Sequence, residues 1–330
     1  MGPIQPNAIT KKRDYLSCIK NCFGYYYAAI REVIRLKNGK IFCFDCHHNY
    51  PTNDIKIYSL INNKFSFETK ISIKNEVHVV NEIDNNIVLL IGELKLHLLD
   101  IKKGKIIQSI PLELNFINTT KKLSNGLIAV NTYCETLFYK YDKINKKIKL
   151  VDKYEYKLEN NLAVYGMWEI HNEFLLFDIP KITDLRLFNY KTKETKTIKL
   201  AKNYESQTKY NVIDNHLFIS YFKINEIGNV NYIDIYNIEL DNITFHKTIE
   251  FQHPYFIKTF IKVNEHTLIV NDWAGNICLF NVSNTENGFD MVFKDVFSAH
   301  EGMISSLSIF DDNKVLSISD DGDVKLWEFN

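Results

Sequence analysis

Apolar positions along this chain alternate with polar ones in short runs. Near the C-terminus "MISSLSIF", "KVLSISD" and "DVKLWEF" are seven or eight residues each, joined by Asp-Asp-Asn and Asp-Asp-Gly. A period of two puts every second side chain on one face, the pattern of a strand with that face buried. The Asp, Asn and Gly between the runs are residues that turns favour. The same grammar returns in "DIKIYSL", "YIDIYNI" and "NICLFNV". No stretch holds a 3.6-residue apolar period for long, so helix is expected to be scarce and the fold all-β.

The runs also recur at a near-constant interval. The last large apolar residue of each third run is Tyr58, Leu99, Tyr141, Phe188, Tyr236, Phe280 or Trp327, at spacings of 41, 42, 47, 48, 44 and 47 residues. A period in the forties predicts a β-propeller with four antiparallel strands per blade, and seven anchors predict seven blades. The blades are expected at about 27–72, 76–111, 115–158, 162–200, 208–251, 256–297 and 302–330. The seventh holds only three runs, whereas an unassigned run, "RDYLSCIK" at 13–20, precedes the first. An N-terminal strand closing the last blade would give every blade four strands and leave few open sheet edges. Residues 1–12 are then expected to be a flexible segment ahead of a single propeller domain at 13–330.

The last unit, "FSAHEGMISSLSIFDDNKVLSISDDGDVKLWEFN", resembles a WD repeat: an Ala-His pair opens it and a Trp closes its third strand. The resemblance implies a structural hydrogen-bond set made of His300, Ser317 or Ser319, Asp321 and Trp327, which ties strand to turn and is not catalytic. "LIVNDWAGNICLF" in the sixth unit is similar in part. The first five units share only the strand pattern, and Tyr26 stands at the His position of the first.

Charge removes several function classes. Lys+Arg 40 balance Asp+Glu 40, and the only arginines are Arg13, Arg31, Arg35 and Arg186. A nucleic-acid binder needs a basic face to displace counterions, so no nucleic-acid partner is expected. An arginine cluster for phosphopeptides is missing for the same reason. Apolar runs such as "NIVLLIG" are too short to cross a membrane, and residues 1–10 lack the apolar core of a signal peptide. A cytoplasmic location without a membrane partner is expected, and a nuclear one is compatible. Six irregularly spaced cysteines fit reduced thiols. Cys18, Cys22, Cys134 and Cys278 read as small buried hydrophobes.

"KIFCFDCHHNYP" is the strongest chemical candidate. Cys43 falls in the second strand of blade one, where blade seven has Ser317, and Cys46, His47 and His48 fall in the loop that follows. These four hold zinc only if the loop folds back so that they converge. A c-type haem needs an exporting, oxidising context, which the sequence does not suggest. Strand end and exposed loop is the simpler reading, so neither metal nor cofactor is expected. There is no nucleophile elbow, phosphate-binding glycine loop, zinc-protease His pair or EF-hand, and no catalysis is expected. Asp311 and Asp312 fall in a different turn from Asp320, Asp321 and Asp323, so the five read as solvated turn acids and not as a calcium site.

What remains is a surface. In a propeller the loops between second and third strands share one face with the blade-to-blade connections. Tyr25, Tyr26, His47, His48, Tyr50, Tyr165, Trp168, His253, Tyr255 and Trp273 are expected there, beside a long loop "KINEIGNVN" at 223–231. Trp and Tyr are the usual anchors of protein interfaces, although Tyr26, Tyr165 and Trp168 fit equally as strand-end core. The expected function is a non-catalytic platform for a protein or peptide partner, monomeric alone or a subunit of a larger complex. Its rivals are a substrate-recognition subunit of a ubiquitin ligase, a structural subunit with rim contacts, and a propeller that uses its channel for a ligand or for catalysis.

Overall fold

The computed structural model describes residues 29–329, apart from 47–52, 62–63, 74–76, 93–94, 113–116, 133–134, 157–165, 171–172, 179–183, 203, 205–207, 226–227, 240–241, 287 and 321–322. The described residues form 27 strands and no α-helix. They make seven sheets in which strands adjacent in sequence are adjacent in space. The first sheet is β1–β4 (Ala29–Arg35, Ile41–Cys46, Asn53–Ile61, Lys64–Ile73) and the second β5–β8 (Val77–Asp84, Ile87–Gly92, Lys95–Asp100, Lys105–Pro111). The third is β9–β12 (Ile117–Lys122, Leu127–Thr132, Glu135–Asp142, Lys147–Glu155) and the fourth β13–β16 (Gly166–Ile170, Phe174–Asp178, Asp184–Asn189, Thr195–Lys199). The fifth is β17–β20 (Lys209–Ile213, His216–Asn225, Gly228–Ile238, Ile243–Gln252) and the sixth β21–β24 (Ile257–Asn264, Thr267–Asp272, Asn276–Thr285, Gly288–Ser298). The seventh has three strands among the described residues, β25–β27 (Ile304–Asp311, Lys314–Ser319, Val324–Glu328). The expected closing strand at 13–20 and the segment at 1–12 lie outside the described residues.

Position in the sheet explains the hydrophobic pattern. The second strands β6, β10, β22 and β26 are buried along almost their whole length. A strand covered on both faces has no polar side to present, so "IVLLIG" reads as a continuous apolar run. The fourth strands β8, β12 and β16 are edges and mostly exposed, with Lys and Thr among their residues. Charge on an edge strand discourages pairing with another chain.

The chain divides into two compact units: one contains Met1–Lys74, Ser220–Ile233 and Ile249–Asn330, the other Asn75–Ile219 and Asp234–Thr248. In the first unit Val33, Ile41, Tyr58 and Phe65 of the first sheet pack against Phe310, Leu316, Ile318 and Leu326 of the seventh. Arg35 strengthens that seam: its guanidinium donates to the Phe310 carbonyl, lies 3.5 Å from Asp311 and sits 4.8 Å from the Phe310 ring centre. The seventh sheet packs on the sixth through Val315 and Trp327 against Ile269, Ile277 and Leu279. In the second unit Leu89 and Leu98 meet Val130 and Tyr139, Phe138 meets Phe177 and Phe188, and Leu176 and Leu187 meet Leu217 and Tyr236. The Gln108 amide adds a two-way pairing with the Ile148 backbone, at 3.0 and 2.8 Å. Full burial of each large apolar side chain contributes about 1.5–3 kcal/mol, so these sheet-to-sheet seams supply most of the favourable term.

The anchors follow a common register with one correction. Tyr58 faces Ile41, Leu99 faces Val88, Phe188 faces Leu175, Phe280 faces Leu268 and Trp327 faces Val315. The matching residue in the third sheet is Tyr139, which faces Ile128 and is buried; the expected Tyr141 stands two positions on and is only half-buried. A bulge explains why Tyr139 takes that place. Pairing of third to fourth strand slips between Ile57 and Tyr58, Leu98 and Leu99, Phe138 and Tyr139, and Leu279 and Phe280. Each slip inserts one residue into the outer strand (Glu68, Ile107, Val151, Lys294) and increases the local twist at the anchor.

Candidate functional site

Buried polar groups tie strands together within several of the sheets. In the seventh, His300 Nε2 and Trp327 Nε1 both lie 2.7 Å from Ser317 Oγ. A serine oxygen has two lone pairs and one proton, enough for both neighbours. Ser317, not Ser319, is therefore the hub; Ser319 is buried too, and its N–H donates to the Asp323 carbonyl. Asp321 lies outside the described residues. Asp323, expected as a solvated turn acid, is buried, whereas Asp311, Asp312 and Asp320 are exposed. Lys325, two residues before the Trp, is buried with its ammonium donating to the Ala299 carbonyl.

The sixth sheet repeats the plan with other residues. His253 was expected on the interaction face; instead it is buried, with Nε2 2.8 Å from the Asp272 carboxylate. Cys278 Sγ lies 3.8 Å from that same nitrogen. The trio is no nucleophile–base–acid relay, because such a relay uses the two opposite ring nitrogens. Burial, reinforced by the Asp272 carboxylate, also holds the Cys278 thiol proton well above the ordinary range. Asp272 is set the other way: burial opposes its charge, but hydrogen bonds from His253, Asn276 and Ala274 outweigh that and keep its carboxyl below the usual value.

The fifth sheet carries a larger network that the sequence did not reveal. Asp234 is fully buried and accepts from Lys202 Nζ at 2.8 Å, Thr248 Oγ1 at 2.6 Å and Tyr204 OH at 2.6 Å. Tyr204 OH also lies 2.7 Å from the OH of the anchor Tyr236. Burial first, then the bond to Asp234, holds the Tyr204 hydroxyl proton far above its usual range. In the second sheet His97 Nδ1 lies 2.8 Å from Ser109 Oγ, and burial lowers the imidazole's basicity. His97, Asp234, Cys278 and Lys325 all stand two residues before their anchors, on the anchor's face of the third strand. Counting back from each anchor would have found them.

Most of these groups are buried, whereas two large aromatics stand at the surface. Trp273 and Tyr255 are 54% and 47% exposed. Trp273 sits in the β22–β23 turn, where Asp272 Oδ1 accepts from the N–H of Ala274 and of Asn276, both at 2.8 Å. Gly275 follows at φ +84°, and its carbonyl accepts from the N–H of Ala299 and of His300. Beneath the indole lies Phe256, edge-on at 5.8 Å, and Phe222 stands edge-on to Phe256 at 6.5 Å. Tyr221 and Tyr232 stack at 5.2 Å with the Lys223 ammonium within 6 Å of both rings. The connection that carries Tyr255 is pinned by Asn231 Nδ2, which donates to the carbonyls of His253 and Tyr255 at 2.9 and 3.0 Å.

A Cβ at Gly275 would stand 2.5 Å from the carbonyl oxygens of His300 and Gly302. Gly275→Ala is therefore expected to destabilise the fold by about 2 kcal/mol or more and to disturb the Trp273 turn, as backbone strain and a backbone clash act together. Urea denaturation followed by tryptophan emission checks this; an unchanged midpoint would show that the turn yields.

Other expected surface residues fall elsewhere. Trp168 lies within β13 and is half-buried, its ring folded over Gly166. "KINEIGNVN" is no long loop: β18 runs to Asn225 and β19 resumes at Gly228, which makes a hairpin. Cys46 ends strand β2 and is not in a loop, while Cys43 is buried among Val33, Tyr58 and Leu316. No group able to hold a metal ion occurs among the described residues. Tyr25, Tyr26, His47, His48, Tyr50 and Tyr165 lie outside them.

No protein-family model and no curated protein matches the chain. Among solved structures it is similar to the β-propeller domain of Cps50 (Swd1) from Myceliophteria thermophila, with a TM-score of 0.65, 93% of this chain and 98% of that one covered, and 9% identity. The chain is a seven-bladed β-propeller. At 9% identity the likeness concerns the fold alone. The propeller's blades keep the strand order and change the polar ties: His–Ser–Trp in the seventh, His–Asp in the sixth, Asp–Tyr–Tyr in the fifth.

Proposed function

We propose that this propeller is a non-catalytic cytosolic platform that binds a protein or peptide through the surface built around Trp273 and Tyr255. The observation that carries the reading is an indole more than half exposed on a turn held by Asp272 and Gly275. Large aromatics on rigid supports lose little entropy on binding and are the commonest energetic centres of interfaces. The buried histidines, cysteine and carboxylates already serve the framework, and that favours binding over catalysis.

The test is capture of partners by the intact protein beside a Trp273→Ala, Tyr255→Ala double variant with unchanged circular dichroism and urea midpoint. The expected result is a partner recovered by the natural chain and lost by the variant. Recovery of the same proteins by both would remove this surface from consideration. A second reading, contact through the rim, rests on Leu150 and Val151, which are exposed side by side on the edge strand β12.

A further inference from the structure

Lysines crowd one end of the second and third sheets. The turn from β7 to β8 carries Lys102, Lys103 and Lys105, and the hairpin of β11 and β12 carries Lys143, Lys147 and Lys149, all exposed. None of the six is in an ion pair among the described residues. Two side chains, Asp100 and Gln108, hold the two hairpins side by side. Asp100 accepts from Lys146 Nζ of the second hairpin at 3.0 Å and from the N–H of Lys103 of the first at 3.1 Å. Gln108 pairs both ways with the Ile148 backbone. The carboxylates on these elements are engaged or partly buried. Asp100 is buried, and Asp142 folds into its own turn, accepting from the N–H of Ile144 at 2.9 Å and from Asn145 Nδ2 at 2.7 Å. Asp152 is paired with Lys193, and Glu82 and Asp84 of β5 are half-buried. The whole chain is neutral, so its charge is sorted, and this end is basic. At the tip of the second hairpin Ile144 is 93% exposed, and Ile106, next to Lys105, is exposed as well.

We propose that this end of the second and third sheets rests on an anionic lipid surface, with the lysines at the headgroups and Ile144 inserted between them. The proposal goes beyond the Trp273 platform and does not depend on it. No helix among the described residues is long and apolar enough to cross a membrane, and a surface contact needs none. Charge complementarity and the apolar tip together select the occupant. Each lysine close to an anionic leaflet strengthens binding about fivefold. An apolar side chain pushed among headgroups gains the burial that the fold denies it. Lysine suits such a surface, because its aliphatic stem lies along apolar material while the ammonium stays with the headgroups. A nucleic acid fits less well. It is held by arginine forks and stacked aromatics, yet no arginine lies in 36–185. The aromatic of the hairpin nearest the lysines, Tyr141, is half-buried, and burial followed by the charges of Asp84, Asp100 and Asp142 holds its hydroxyl proton above the ordinary range. An acidic peptide would match the lysines and leave Ile144 in water.

The experiment uses the full chain and sedimentation with two kinds of vesicle, phosphatidylcholine alone and phosphatidylcholine mixed equally with phosphatidylserine. The protein is expected to sediment with the mixed vesicles and not with the neutral ones. Salt should release it, since screening cuts the reach of charge to about 8 Å at physiological ionic strength. Lys143→Gln with Lys147→Gln should weaken binding about tenfold or more and flatten the salt dependence. Ile144→Ser should weaken it about fivefold to tenfold and leave the salt dependence as it is. All three residues are exposed, so the urea midpoint is expected to stay where it is. The Trp273→Ala, Tyr255→Ala variant should bind vesicles as the natural chain does. No binding to the mixed vesicles, equal binding to both kinds, or lysine and Ile144 variants that bind as the natural chain does would each overturn the proposal. So would tighter binding to a DNA duplex or to a peptide of alternating Glu and Ala, indifferent to Ile144→Ser, which would make another polyanion the occupant. If vesicle binding fails while partner capture still requires Trp273 and Tyr255, the lipid surface falls and the platform stands.

Discussion

Replacing Asp234 with alanine is expected to cost the fold about 3 kcal/mol, at the low end of what breaking a buried charge pair costs. Asp234 is fully buried and its two oxygens accept from Lys202, Thr248 and Tyr204. Removing them leaves an ammonium and two hydroxyls without their acceptor. The estimate is low in its range because the Lys202 side chain is 39% exposed and can recruit water. Asp234→Asn keeps an acceptor in place and should cost less. A further variant separates charge from packing: Asp234→Ala with Lys202→Met removes both ions, so the double variant should recover part of the loss. Urea denaturation of the four proteins measures the coupling. Additive losses would mean that Lys202 and Asp234 do not stabilise each other.

That network shows where sequence reading stops. The period and the anchors were legible because every blade must bury the same two inner strands, and that need writes apolar runs at a near-constant interval. Tyr139 was missed for Tyr141 because both share one face of β11, and only the bulge after Phe138 tells them apart. Lys202 and Tyr204 lie in a connection whose composition reads as solvated, and nothing local says that Asp234 waits inside the next sheet. His253, followed by Pro254 and Tyr255, looks like a loop aromatic. Its signal was distance: it precedes His300 by the same 47 residues that separate Phe280 from Trp327. Trp273 stood out in the sequence because an indole in a turn has no structural task there.

Deleting Met1–Asn21 is expected to destroy cooperative folding and to leave an aggregating chain. Six sheets have four strands, but the seventh ends at β27 among the described residues. Val324, Lys325, Leu326 and Trp327 of β27 are all buried. A third strand left as an edge exposes its backbone N–H and C=O groups and its apolar side chains, and such an edge templates aggregation. The loss would not stay local. Phe310, Leu316, Val324 and Leu326 share one core with Val33, Ile41 and Tyr58 of the first sheet, and Arg35 is bonded to the Phe310 carbonyl. Loosening β27 therefore loosens the seam between first and seventh sheets, and most stability of a repeat fold resides in such neighbour interfaces. A synthetic peptide of residues 13–20 added to the truncated chain should partly restore its melting transition. A truncated protein that melted at the natural temperature and stayed monomeric would show that β27 needs no fourth strand from residues 13–20.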